Sequence, residues 1–279
     1  PDLGLSLSFL FDGLGLLFAL LITGIGALIV LYAASYLGGH PLSGRFQLIL
    51  FAFMGSMLGL VLSDNIVLLF VFWELTGITS YFLIGFDHER REARQAAMQA
   101  LLVTGTGGLA LLAGGVAITQ ATGTPSLSAM LEAGTTLGDH PAHAVFAGLI
   151  LLAALTKSAQ FPFHFWLPNA MQAPTPVSAY LHSATMVKAG VYLVARMTPL
   201  LGGAAIWTAV LVTAGALTML GGAYRALLET DLKRILAYTT VSALGVMMLS
   251  LGLGTRTGIA AALVYLVAHA CYKGALFLV

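Results

Sequence analysis

Nine stretches of this sequence are apolar over about the 20 residues a helix needs to cross a bilayer. They lie near residues 10–36, 46–62, 65–86, 95–119, 143–165, 176–198, 204–226, 232–253 and 257–279. This pattern describes an all-α, polytopic membrane protein of about nine transmembrane helices. Composition supports it: of 279 residues, 59% are hydrophobic and 8% charged, against about 25% charged in soluble domains. With a net charge of +1 and no basic run with interleaved aromatics, nothing points to nucleic acid. The single cysteine, Cys271, leaves no internal disulfide and no thiolate metal site. The chain starts at Pro1 without a short charged-then-apolar signal and stops at Val279 inside an apolar run. It is expected to be an internal piece of a longer chain.

The basic residues give an orientation. Arg45, Arg90, Arg91, Arg94, Arg225, Lys233 and Arg234 gather on one side of these spans, Arg196 and Arg256 on the other. The first side is expected to be cytoplasmic, with the amino end of the first span facing outward from a cell membrane. The loop 120–142 carries no Lys or Arg and falls outside, with ThrGlyThrPro and GlyAspHisPro as turn material. Asp12 reads as a helix amino-terminal charge at the interface. Arg45 and Asp64 also sit at span ends, and 87–94 reads as a solvated turn.

Residues 157–192 break this regularity. Lys157 lies inside an apolar run, and Pro162 removes a backbone donor and clashes with the carbonyl of Ser158. A broken membrane helix that carries a lysine is not a passive anchor, because irregular backbone at membrane depth must be buried in protein or face a water-filled cavity. After Pro168, Pro174 and Pro176 a second apolar helix is expected, with Ser178, His182, Thr185, Lys188 and Tyr192 within an arc of about 120°. One reading of this stripe has Lys188 snorkelling to the membrane edge and His182 bonding a neighbouring carbonyl. The other takes Lys157, His182 and Lys188 together as marking an ion pathway.

Other titratable groups share the setting. Glu74 lies near the middle of 65–86, where a carboxylate costs about 2.5–3.5 kcal/mol unless it is neutral, paired or facing a hydrated interior. Lys233 opens 232–253 and serves either as a topology charge or as an internal group. Tyr265, His269 and Lys273 fall at i, i+4 and i+8, on one helix face. The span 95–119 has no ionisable residue. Its ThrGlyThrGlyGly (104–108) follows no strand and reads as a close-packing surface, as do the small residues of 204–226. Exposing Glu74, Lys157, His182, Lys188, Lys233, His269 and Lys273 to lipid would cost on the order of 20 kcal/mol, so they are expected to share one internal polar track. No ligand cluster or nucleophile motif accompanies them, so no cofactor, metal or enzymatic chemistry is expected. Lysine and histidine among Ser, Thr and Tyr suit proton relay better than Na⁺ coordination.

The block LysSerAlaGlnPheProPheHisPheTrpLeuPro through HisSerAlaThrMetValLysAlaGlyValTyr (157–192) resembles the signature of the proton-translocating antiporter-like family. That family includes large membrane subunits of respiratory complex I and the A and D subunits of Mrp-type Na⁺/H⁺ antiporters. PheTrpGluLeuThr (72–76), AspLeuLysArgIleLeuAlaTyrThrThrValSer (231–242) and HisAlaCysTyrLysGlyAlaLeuPheLeu (269–278) match its other motifs in order. The resemblance covers essentially the whole chain and favours the branch of the Mrp A subunits. It implies two five-helix units related by inverted topology, each with one broken helix. Residues 1–45 would be a leading helix and loop, 46–199 the first unit with its break near 157–166, and 204–279 the start of the second. It further implies an acidic–lysine pair at Glu74 and Lys157, connecting groups at His182, Lys188 and Lys233, and a later relay at His269 and Lys273. Some relatives carry a further acid in the helix equivalent to 95–119, which this chain lacks. The implied function is the proton-translocating core of a multisubunit Na⁺/H⁺ antiporter, moving H⁺ and Na⁺ with other membrane subunits as partners. The alternatives are the equivalent subunit of NADH:quinone oxidoreductase or a membrane-bound hydrogenase, or a scaffold that has lost transport; intact Glu74 and Lys157 speak against the last.

Overall fold

The computed structural model describes residues 7–132, 137 and 140–279. Gly138 and Asp139 of the expected GlyAspHisPro turn lie outside them. The described residues form twelve α-helices: α1 (Gly13–Tyr36), α2 (Ser43–Leu62), α3 (Ile66–Ile84), α4 (Arg91–Thr122), α5 (Leu127–Glu132), α6 (His143–Lys157), α7 (Trp166–Asn169), α8 (Thr175–Ser183), α9 (Ala189–Leu201), α10 (Ala205–Leu228), α11 (Leu232–Gly252) and α12 (Arg256–Leu278). Seven of these, α1 to α4 and α10 to α12, are long and apolar enough to cross a membrane uninterrupted. The protein is an all-α, multi-pass membrane protein. The spans expected at 143–165 and 176–198 are each assembled from pieces.

The first interruption follows Lys157, which ends α6 and does not sit inside it. The amide of Gln160 bonds Leu155 O at 2.9 Å and that of Ala159 bonds Thr156 O at 3.4 Å, the paired bonds of a Schellman cap. Glycine usually fills the left-handed position of this motif. Here Ala159 does, at φ 48°, a conformation that strains a residue with a Cβ. Trp166 Nε1 donates to Thr156 O at 3.0 Å, which satisfies another helix-end carbonyl inside the bundle. A 3-10 turn (163–165), α7 and a second 3-10 turn (170–172) then carry the chain to α8.

The second interruption departs from the single helix expected over 176–198. Helix α8 stops at Ser183, and a 3-10 turn over 186–188 leads into α9. Side chains bond the carbonyls at this end: Tyr180 O accepts from the Ala184 amide at 3.4 Å and also from Thr185 Oγ1 at 2.7 Å, and Ser183 O accepts from Lys188 Nζ. The polar stripe is therefore split between two helix pieces, although all five of its residues are buried.

Glycine sets the close contact between α10 and α11. A Cβ at Gly215 would meet the amide of Leu249 at 2.6 Å, and one at Gly222 the amide of Ser242 at 2.6 Å. This is the small-residue packing expected for 204–226. On the side away from the arginine-rich loops, Asp64 accepts bonds from Ser126 Oγ at 3.0 Å and from Ser128 N at 2.8 Å, which fixes the start of α5.

Candidate functional site

The cationic groups of the site are held by backbone carbonyls. Lys157 is fully buried, and its ammonium donates to Trp73 O at 3.1 Å and lies 5.0 Å from the Trp73 ring centroid. It also sits at the carbonyl end of α6, where the helix dipole favours a cation. Lys188 repeats the arrangement: it is fully buried, and its nitrogen bonds Ser183 O, the last carbonyl of α8, and Leu266 O of α12 at 3.2 Å. Lys273 is 2% exposed and bonds Leu236 O at 2.9 Å and Thr239 Oγ1 at 2.5 Å, both on α11. Lys233, partly exposed, bonds Met171 O at 3.1 Å and Ala173 O at 2.6 Å in the turn before α8. It is thus tied to the site and is not a free loop charge.

Glu74 and Lys157 make no contact ion pair. Among the described residues the ion pairs are Asp12–Arg196 and Glu229–Arg234. Lys157 instead bonds the carbonyl of the residue before Glu74, and the two charges still act on each other. Glu74 is half-buried, with Oε1 enclosed and without a hydrogen-bond partner. Its carboxylate rests against α4, where a Cβ at Gly108 would overlap Oε1 and one at Gly105 would lie 3.9 Å from Oε2. A Cβ at Gly107 would likewise overlap Thr156 Oγ1 of α6. The ThrGlyThrGlyGly stretch is a packing surface, as expected, and what it accommodates is the site's carboxylate.

Two histidines lie between the lysines. The His182 ring faces Phe277 with centroids 5.9 Å apart, and His269 is flanked by Tyr265 at 6.3 Å and Tyr272 at 5.2 Å. Both rings are fully buried, and all four of their nitrogens lack a hydrogen-bond partner, as do Ser178 Oγ and Ser183 Oγ. Lys188, Lys273 and His182 are close enough to His269 to act on its charge, as Lys233 and Lys273 are to His182. The structure therefore brings His182, Lys188, Lys233, His269 and Lys273 into one neighbourhood. Lys157 and Glu74 join it through the contact between the two interruptions, where Ser158 Oγ donates to Val187 O at 2.6 Å.

Sequence reasoning missed several of these groups. Trp73 supplies both an acceptor and a ring to Lys157, and its position beside an intramembrane Glu was the available signal. Ser158, next to the lysine, joins the two breaks. Arg196, counted only as a charge on the outer side, is 4% exposed in α9. It bonds Asp12 through both terminal nitrogens, at 2.5 and 2.8 Å, and Tyr192 Oη at 3.2 Å. Asp12 also caps α1 through Gly15 N at 2.8 Å, as its place before the span suggested.

Residues 63–279 match the family model described as NADH:quinone oxidoreductase/Mrp antiporter, TM, and residues 1–47 match NADH-Ubiquinone oxidoreductase (complex I), chain 5 N-terminus. The chain belongs to the NADH:quinone oxidoreductase/Mrp antiporter family. Among curated family members it is 50% identical over 278 residues to the A/B subunit of the probable K(+)/H(+) antiporter of Rhizobium meliloti. That match covers all of this chain and 28% of the relative. It is 44% identical over 292 residues to the A1 subunit of the Na(+)/H(+) antiporter of Staphylococcus aureus strain JH9, covering all of this chain and 36% of the relative. A chain in the structure of the Mrp complex from Dietzia sp. DQ12-45-1b superposes with a TM-score of 0.93 at 45% identity. The superposition covers 99% of this chain and 30% of that one. The chain thus spans about a third, or less, of the length of these family members.

Proposed function

We propose that this chain is the proton-conducting core of a multisubunit monovalent cation/H⁺ antiporter, part of a transporter and not an enzyme. The observation that carries this reading is the buried row Lys157, Lys188, His182, His269 and Lys273, with Lys233 and Glu74 at its ends. An ammonium can release and regain a proton, and so can an imidazole. Four enclosed imidazole nitrogens without a protein partner call for water, since leaving such groups unsatisfied costs several kcal/mol in all. A hydrated chain of such groups passes protons without binding a metal ion; among the described residues no cluster of His, Cys, Asp or Glu could hold one.

The similar proteins are named for K⁺/H⁺ and Na⁺/H⁺ exchange, which supports a cation partner for the proton, with Na⁺ as our first assignment. The structural neighbour comes from a complex, which supports further membrane subunits as partners. In this reading α2 to α9 form the first five-span unit and the chain from α10 begins the inverted second. The arginine-rich side faces the cytoplasm of a bacterial cell, and the amino end of α1 faces out.

The test is transport by the full-length protein in its whole complex, reconstituted into proteoliposomes. An imposed Na⁺ or K⁺ gradient should drive proton flux, read by a pH-sensitive dye, without an electron donor. Flux that requires NADH and a quinone would favour the redox-driven members of the family.

A further inference from the structure

The line of polar groups does not end at Lys188. Lys188, just before α9, and Tyr192 and Arg196 within it follow at four-residue spacing. They therefore climb one face of the helix, toward the side away from the arginine-rich loops. All three are at most 4% exposed. Lys188 spends two N–H groups on Ser183 O and Leu266 O, and an ammonium has three. Tyr192 Oη donates to Val61 O at 2.9 Å and accepts from Arg196 Nε at 3.2 Å. Arg196 in turn holds Asp12, whose side chain is 38% exposed. Asp12 is fixed by its own bond from Gly15 N and by the residues before it, where Leu10 N bonds Leu62 O at 2.8 Å and Asp64 N bonds Ser8 O at 3.0 Å. Lysine, tyrosine, arginine and carboxylate thus lead from the buried row to water.

In that line the carboxylate faces out and the guanidinium faces in. A lysine, a tyrosine and an aspartate can each exchange a proton, but a guanidinium keeps its own. Its fixed charge also opposes any second cation that moves inward from Asp12, and burial leaves that charge poorly screened by salt.

We propose that Arg196 is the stopper of the row on this side, the residue that keeps protons on Lys188 from leaving past Asp12 and confines them to the path toward His269 and Lys273. The inference rests on the relay described under Proposed function.

The experiment uses the full complex in proteoliposomes with a pH difference across the membrane, a permeant anion to balance charge, and no Na⁺ or K⁺ on either side. Decay of the pH difference, read by a pH-sensitive dye, is then leak. Arg196→His puts a group that takes up and releases protons in place of the guanidinium, and the decay should quicken at least tenfold. Asp12→Asn breaks the clasp but keeps the guanidinium, and its decay should stay within twofold of the parent. Adding Lys188→Ala to Arg196→His should restore the parent's decay. A tight Arg196→His overturns the proposal. So does an equal leak in Asp12→Asn, which would make the closure a matter of packing, or a leak that survives Lys188→Ala and so bypasses the row. If Arg196→His is missing from the membrane, the double variant Asp12→Asn/Arg196→His, which leaves no carboxylate alone, carries the test; absence of both makes the clasp purely structural and overturns the stopper. Lys157→Ala, assayed under a cation gradient, separates the two readings. At the parent rate it overturns the relay, whereas an inactive Lys157→Ala beside a tight Arg196→His overturns the stopper alone.

Discussion

Gly108 of α4 lies directly under the carboxylate of Glu74 in α3, so that a Cβ at Gly108 would occupy the position of Oε1. The two helices carry the acid of the site between them, one as donor of the side chain and the other as the floor it rests on.

Gly108→Ala should therefore act on transport through Glu74. The methyl must push the carboxylate away from α4, changing its distance to Lys157. Proton flux is expected to fall to within about twofold of the level of Glu74→Gln, itself strongly reduced, with the protein still assembled in the membrane. Flux assays beside membrane immunoblots check this. A Gly108→Ala protein at the parent rate would show that Glu74 has slack.

Lys157→Arg should be nearly as inactive as Lys157→Ala. Arginine keeps the charge and can still reach the Trp73 carbonyl, but it does not give up its proton in a protein. Coulomb energy at an effective dielectric of about 20 is roughly 4 kcal/mol at 4 Å and half that at 8 Å. Movement between Trp73 O and Glu74 thus changes how tightly the lysine holds its proton, a change of no use to arginine. Na⁺-driven flux at matched incorporation decides it. Rescue by arginine would make Lys157 a fixed charge.

His182→Ala should slow transport by about a hundredfold, the low end of what positioned proton transfer supplies, without loss of the protein from the membrane. Neither ring nitrogen bonds the protein, so removal breaks no structural hydrogen bond. What it removes is the packing against Phe277. If the variant disappears from the membrane while the surviving fraction transports normally, the histidine is structural.

The Asp12–Arg196 clasp makes a prediction about stability and pH. The Arg196 guanidinium holds the Asp12 carboxyl below the usual carboxylate range. A depressed acid contributes stability above its ordinary pKa, near 4, and loses it as pH falls through the lower folded value. Asp12→Asn leaves Arg196 buried without its counter-charge. The cost should be about 2 kcal/mol, less than the 3–5 kcal/mol of a fully enclosed pair, because the Asp12 side chain keeps 38% exposure. Thermal unfolding in detergent should show a gap between variant and parent that is constant from about pH 5 to 8 and closes on acidification.

The long helices were legible because a bilayer demands long apolar runs, and seven are found where the runs lie. The first break was legible through Lys157 and Pro162. The second was not, because no proline marks it: Lys188 bonds the last carbonyl of α8, and a side chain's choice of acceptor is invisible in helical periodicity. For the same reason the stripe around His182 was read as one helix face when it belongs to two pieces. Its residues nevertheless proved buried. The Asp12–Arg196 pair joins positions 184 residues apart, beyond any local pattern. Glu74 was legible as a group needing company, but the company it finds is the glycine surface of α4. Which helix faces meet is a tertiary fact, and so the roles of Gly107 and Gly108 had to come from the structure.

The hydrogen bond from Ser158 to Val187 O has a mechanical consequence. It joins the residue after Lys157 to the residue before Lys188, and a Cβ at Gly190 would collide with Ala154 O and Ser158 Oγ, so the two interruptions are also in contact without clearance. Force applied to one half-helix must be carried by the other. The centre of the protein thus behaves as a single pivot with a lysine on each arm, and any tilt of one arm is answered by the other.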